Sequence, residues 1–197
     1  MNTYEAIMTR RSTRRFLEKK VDDELIEKIV EAGRHAPSGG NSQSTHFFVI
    51  TNRELLDKLA IMVRNSFSEM ELKEGMYKSL VSSITQSKRG DYVFHYNCPV
   101  LIVTANQKDY GNNIADCACA LENMMIAANE LDLGSCWINQ LKWLNEDEGL
   151  LNLFRSLGLK ESERIYGALA VGYALNEDGL PNRNPLPRTG NKVEWIK

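Results

Sequence analysis

The sequence predicts an α+β fold in one domain, and three observations predict it. Apolar residues recur at three- and four-residue steps over long stretches, the mark of helices packed on a core. Short β-branched and aromatic runs lie between them, the mark of strands. The chain has 197 residues, 43% hydrophobic and 25% charged, an ordinary globular profile with room for one sizeable core.

The elements follow in order. Tyr4, Ile7 and Met8 sit at helical spacing, so residues 2–9 read as a first helix that ends at an arginine cluster. In DDELIEKIVEAGRHA, Leu25, Ile26, Ile29, Val30 and Gly33 form one stripe, with Asp22 or Asp23 as N-cap and Pro37 as the stop. HFFVIT, from residue 46, reads as a buried strand, and NRELLDKLAIMV, from residue 52, as the helix after it. Residues 66–92 are polar and weakly periodic, which suggests a mobile helical excursion over a ligand site, with no regular element assigned. PVLIVTAN, from residue 99, is a second apolar strand.

The longest helix is expected in NIADCACALENMMIAANELDLG, residues 113–134, where Ala118, Leu121, Met125, Ala128 and Leu131 recur and Gly134 supplies the stop. Ala115, Cys119, Met124, Ile126 and Ala127 extend the apolar surface most of the way round, so this helix is expected at a core or a dimer centre. SCWI and RIYGALAVGYA read as further strands, with a helix in NEDEGLLNLFRSLG between them. The tail LPNRNPLPRTGNKVEWIK reads as an extended arm that docks through Trp195 and Ile196, because a free tail rarely carries an apolar tip.

Several function classes recede on composition. No apolar run approaches the roughly 20 residues that cross a bilayer, and the first residues lack a secretory h-region, so a soluble cytoplasmic protein with no membrane partner is expected. Cys98, Cys117, Cys119 and Cys136 lack the spacing of a disulfide framework and read as reduced thiols. Cys117 and Cys119 would point to different faces of a helix, and with three histidines in the chain no metal site is expected. A pI near 6.0 and a net charge of -2 leave no basic stripe for nucleic acid.

One local charge stands out. RRSTRR, residues 10–15, sets four arginines around Ser12 and Thr13. Such a run is either a solvated surface making weak ion pairs or a phosphate site, since guanidinium forks pair two at a time with phosphate oxygens and Ser12 adds a hydroxyl. APSGGNSQ, from residue 36, is either a plain helix-to-strand turn or a cradle for a flat ligand, with Gly39 and Gly40 allowing close approach and Asn41 and Gln43 supplying donors and acceptors. His35 and His46 read as structural, and Cys136 as a small buried hydrophobe.

Taken together, RRSTRRF and, about 25 residues on, APSGGNSQ resemble the FMN-dependent nitroreductase family, with its R-R-S-x-R segment and A-P-S-x-x-N-x-Q loop. The likeness continues in the alanine-rich helix, LGSCWI, YGALAVGYA and PLPRTG, and so covers nearly the whole chain. The resemblance implies a central, mostly antiparallel sheet flanked by helices, a long central helix at a homodimer interface and a C-terminal arm. It implies that Arg10, Arg11, Ser12 and Arg14, joined by Arg188, hold the FMN phosphate and ribityl chain. It further implies that Pro37, Ser38, Gly39 and Asn41 contact the ring from the partner subunit, and that Gln43, which matches the motif's glutamine, is among the cofactor-binding residues. Trp137, Ile138 and Asn139 would lie against the ring, with a backbone N–H near flavin N5.

No Ser/His/Asp set or carboxylate pair accompanies these motifs, which suits hydride transfer, where stacking geometry matters more than a general base. The expected activity is an FMN-dependent oxidoreductase that uses NADH or NADPH to reduce nitroaromatic, quinone or related small-molecule acceptors in alternating half-reactions. A specialised flavin enzyme of the same fold, such as a dehalogenase or dehydrogenase, and a non-catalytic flavin-binding protein remain alternatives. Ser44 and Thr45 replace the Pro-Trp that many relatives carry after the glutamine, which predicts a more polar acceptor pocket.

Overall fold

A computed structural model of the protein describes residues 1–197. Four antiparallel strands, β1 (His46–Ile50), β2 (Val100–Gln107), β3 (Gly134–Ile138) and β4 (Glu163–Gly172), form one sheet in the order β1-β2-β4-β3. Around it stand α1 (Thr3–Thr9), α2 (Asp23–Arg34), α3 (Arg53–Glu69), α4 (Lys78–Arg89), α5 (Asn113–Glu130), α6 (Gln140–Trp143) and α7 (Glu148–Ser156). Side chains alternate across a strand, so each central strand feeds two cores. Leu101, Val103, Ala168 and Ala170 join Leu59, Val63 and Phe67 of α3, Ile84 of α4 and Phe154 of α7 on one face. Val100, Ile102, Leu169 and Val171 meet Ile26 and Ile29 of α2 and Leu121, Met124 and Ala128 of α5 on the other. The α+β class with an antiparallel sheet flanked by helices is therefore what the chain adopts.

Three expectations change. β1 lies at the sheet edge, paired with β2 on one side only, and is buried on one face alone: Phe48 and Ile50 enter the larger core while Val49 is exposed. Residues 66–92 hold more order than their polarity suggests: α3 continues to Glu69, and α4 packs beside it through buried Ser83, Ile84 and Ser87. Gly134 is not the stop of α5. The helix ends at Leu131, Asp132 takes the left-handed turn at φ 63°, and Gly134 opens β3. Its missing side chain makes room for Thr13, whose Oγ1 would lie 2.6 Å from a Cβ there.

The tail beyond β4 has no regular element, and Leu186, Val193, Trp195 and Ile196 point into solvent. Its root is fixed. Arg183 donates to the Asn129 carbonyl and pairs with Asp132 at 2.6 Å, while Asn129 Nδ2 donates to Ala6 O at 3.0 Å.

Candidate functional site

The arginine segment leaves α1 and runs along the free edge of β3. Thr13 N–H donates to Ser135 O at 2.8 Å, Ser12 bridges Ser135 in parallel, and Phe16 bridges Ala174 beyond. This stitching fixes the backbone and leaves the guanidinium groups free to differ in what they meet. Arg10 Nε lies 3.5 Å from Glu122 Oε1 on α5, a loose pair. Arg11 is spent on backbone: its Nε donates to Asn184 O at 2.8 Å and its Nη1 to Met8 O at 3.3 Å. Arg14 and Arg188 make no ion pair within the chain. At Arg14 the free cation stands on a fixed backbone, which is what an anion site needs.

β3 carries the chemistry onward from Ser12. Burial pushes the Cys136 thiol up, against the opposing pull of Arg14, so it stays neutral at pH 7. Trp137 faces α5, and its Nε1 donates to Asn139 Oδ1 at 2.9 Å, which locks the indole. Ile138 turns its side chain into the core and offers only its backbone outward.

The glycine loop forms elsewhere on the chain, against the N-terminal turn of α5. Gly39–Asn41 makes one 3-10 turn, with Gly40, Asn41 and Gln43 at φ 59°, 55° and 50°. Asp116, buried in the first turn of α5, accepts from Gly39 N–H at 3.0 Å and from Ser42 Oγ at 3.4 Å. Tyr110 donates its hydroxyl to Gly39 O at 2.9 Å, and a Cβ at Gly39 would lie 2.5 Å from the Tyr110 hydroxyl. Ser38 Oγ accepts from Gln43 N–H at 3.0 Å, and Gln43 Nε2 donates to Asn41 Oδ1 at 3.2 Å. A cleft of about 420 Å³ opens beside the loop, lined by Pro37, Ser38, Asn41, Gln43, Thr45 and Asp116 among others.

No hydrogen bond or ion pair within the chain joins loop and arginine segment. The loop meets α5 at Asp116, while Arg10 meets it at Glu122 and the end of α1 meets it at Asn129. Six to thirteen residues of helix separate these anchors, roughly 9–20 Å at 1.5 Å per residue. Two features escaped sequence reading. Asp116 as the loop's anchor was signalled only by an acidic residue in the first turn of an apolar helix. Tyr96, held left-handed at φ 56° ahead of β2, gave no signal at all.

The model of the nitroreductase family matches residues 7–173 of this chain. The chain belongs to the nitroreductase family. A nitroreductase of Bacteroides fragilis, solved with bound FMN, aligns over 100% of both chains with 30% identity and a TM-score of 0.86. A protein of Archaeoglobus fulgidus, provisionally named NADH dehydrogenase/NAD(P)H nitroreductase, is 29% identical over 87% of this chain and 84% of its own length. The iodotyrosine deiodinase of Hydra vulgaris is 27% identical over 93% of this chain and 70% of its own. In this nitroreductase the two motif segments thus stand on a fixed β3 edge, where Arg14 has no carboxylate partner, and on a loop braced by Asp116 of α5.

Proposed function

We propose that this nitroreductase is an FMN-dependent oxidoreductase that takes hydride from NADH or NADPH and reduces nitroaromatic, quinone or related small molecules in alternating half-reactions. The observation that carries the reading is the Arg14 guanidinium, without a carboxylate partner on a backbone stitched to β3, in a chain that aligns end to end with an FMN-bound relative. Arg10, Arg14 and Arg188 neutralise the phosphate, and Ser12 donates its hydroxyl to it. Arg11 contributes by holding the arm's root at Asn184. FMN, when bound, supplies the ring that receives hydride from the nicotinamide and delivers reducing equivalents to the acceptor. The chain's own part is to grip, orient and shield. Trp137, locked by Asn139, and the Ile138 backbone form a firm wall, and Pro37, Ser38, Gly39, Asn41 and Gln43 form the opposing one.

The distance between loop and arginines along α5 supports a site shared between two copies of the chain, each supplying one wall. Exposed apolar side chains support the same assembly: Tyr4, Ile7 and Met8 on α1, Ile114 on α5, and Trp195 and Ile196 on the arm. No helix is long and apolar enough to cross a membrane, and all four cysteines are free, which suits a homodimer in the reducing cytoplasm. The chain forms one FMN-binding domain from end to end.

The test is an anaerobic titration. NADH or NADPH bleaches the flavin colour, and a nitroaromatic or quinone restores it; colour that persists with both donors overturns the enzyme and leaves a flavin-binding protein. The likeness to the Hydra deiodinase favours one second reading, reductive dehalogenation. Restoration of colour by a halogenated phenol and not by a nitroaromatic or quinone would select it.

A further inference from the structure

The glycine loop reaches into solvent, with Asn41, Ser42 and Gln43 exposed, yet Asn41 and Gln43 both stand in the left-handed region. Residues other than glycine rarely adopt that conformation unless their surroundings hold them there. The hold lies at Gly39, whose polar groups are all engaged within the chain. Its N–H donates to Asp116 Oδ1 at 3.0 Å, and its carbonyl oxygen accepts from the Tyr110 hydroxyl at 2.9 Å and from Ser42 N–H at 3.1 Å. Asp116 is buried and enters no ion pair within the chain. A buried carboxylate without a cation needs hydrogen-bond donors, and the loop supplies both that its side chain has, Gly39 N–H and, at 3.4 Å, Ser42 Oγ. Its own place is fixed by α5, where its N–H donates to Asn112 O at 2.8 Å.

We propose that Asp116, with Tyr110 opposite it, is a positioning residue of the flavin site: the two close on Gly39 from its N–H and its C=O and hold the loop in shape before FMN arrives. The proposal rests on the reading of this loop as one wall of the site. A segment already held in its binding shape loses less freedom when the ligand docks, so the brace raises affinity without touching the ligand. Gly39 is then left with no polar group to offer, and the loop's polar contacts fall to Asn41 and Gln43, which line the cleft beside it. The missing side chain of Gly39 serves the helix, since a Cβ there would meet Tyr110 and Asn112.

FMN dissociation from the full-length apoprotein, read by flavin fluorescence, tests it in a double-mutant cycle with Gly39→Val, which pushes the loop off Tyr110 and Asn112. Asp116→Ala weakens FMN about tenfold, and Asp116→Asn, which keeps an acceptor for Gly39 N–H, stays within about threefold of the wild type. Gly39→Val weakens FMN by itself, and Asp116→Ala adds nothing in that background. A side chain that merely steadied the first turn of α5 would lower the melting temperature and leave FMN affinity as it was. Should Asp116→Ala fail to fold, Tyr110→Phe, which removes the donor to Gly39 O, takes its place in the cycle. Wild-type affinity in Asp116→Ala beside a loss in Gly39→Val sinks the positioning role alone. So does full additivity with Gly39→Val, or a loss in Asp116→Asn as large as that in Asp116→Ala. Wild-type affinity in Gly39→Val removes both the proposal and the reading of the loop as a wall.

Discussion

Arg10, Arg11 and Arg14 look equivalent as letters, yet each has a different neighbour. Arg11 serves the backbone of the arm, Arg10 keeps one loose pair with Glu122, and Arg14 is exposed with no carboxylate partner. Arg10→Ala and Arg14→Ala are each expected to weaken FMN by about 1.5–3 kcal/mol, the range for hydrogen bonds to a charged group, in equilibrium titration of the apoprotein. A second prediction concerns His95, which is fully buried with Nε2 3.1 Å from Leu56 O and Nδ1 unpartnered. Burial lowers its pKa from 6.5, so the imidazole stays neutral and Nε2–H donates. Below pH 6.5 the unfolded chain therefore binds a proton that the folded chain refuses, and stability falls with pH until the folded-state pKa is reached. The melting temperature should drop between pH 7 and 5, and His95→Gln should flatten that slope. The arginine run, whose role as a phosphate site is proposed, was legible because residue type and spacing are local. Tyr96 was not, because a left-handed tyrosine is fixed by tertiary contacts and leaves no local pattern.

α5 shows the same division at the level of elements. Its length and apolar spread were readable from period alone, and Asn113–Glu130 falls inside the predicted 113–134. Its end was not, because a glycine after an apolar run signals either a helix stop or a close approach, and here Thr13 decides for the second. α4 was missed for a related reason: Ser83, Tyr92 and Gln140 form a buried polar cluster, with Tyr92 OH 2.7 Å from Gln140 Nε2, so polar letters lie where apolar ones were sought. Arg183 and Arg11 both fasten the arm before Pro185, which leaves the residues beyond free to reach another copy. A chain ending at Asn184 should keep its fold by circular dichroism, lose FMN and show weakened dimerisation in sedimentation; retention of FMN and dimer would remove the arm's role.

For the whole molecule, the sheet and its two helical layers were foreseeable as an α+β fold, since alternating strands and striped helices each demand cover on a defined face. The proposed assembly of the site rests on family likeness, because no local pattern tells whether the loop at one end of α5 serves the arginines of its own chain or of another. That shared site is the central claim, and mixed dimers test it most directly. Arg10→Ala/Arg14→Ala spoils one wall, and Gly39→Val spoils the other by forcing a side chain against Tyr110 and Asn112. Each homodimer should bind FMN poorly. Unfolded, mixed and refolded together, the two should form heterodimers in which one of the two sites has both walls intact, and tight FMN binding should return to about one flavin per heterodimer. If the heterodimer binds no more tightly than its parents, the walls belong to one chain and the account is wrong.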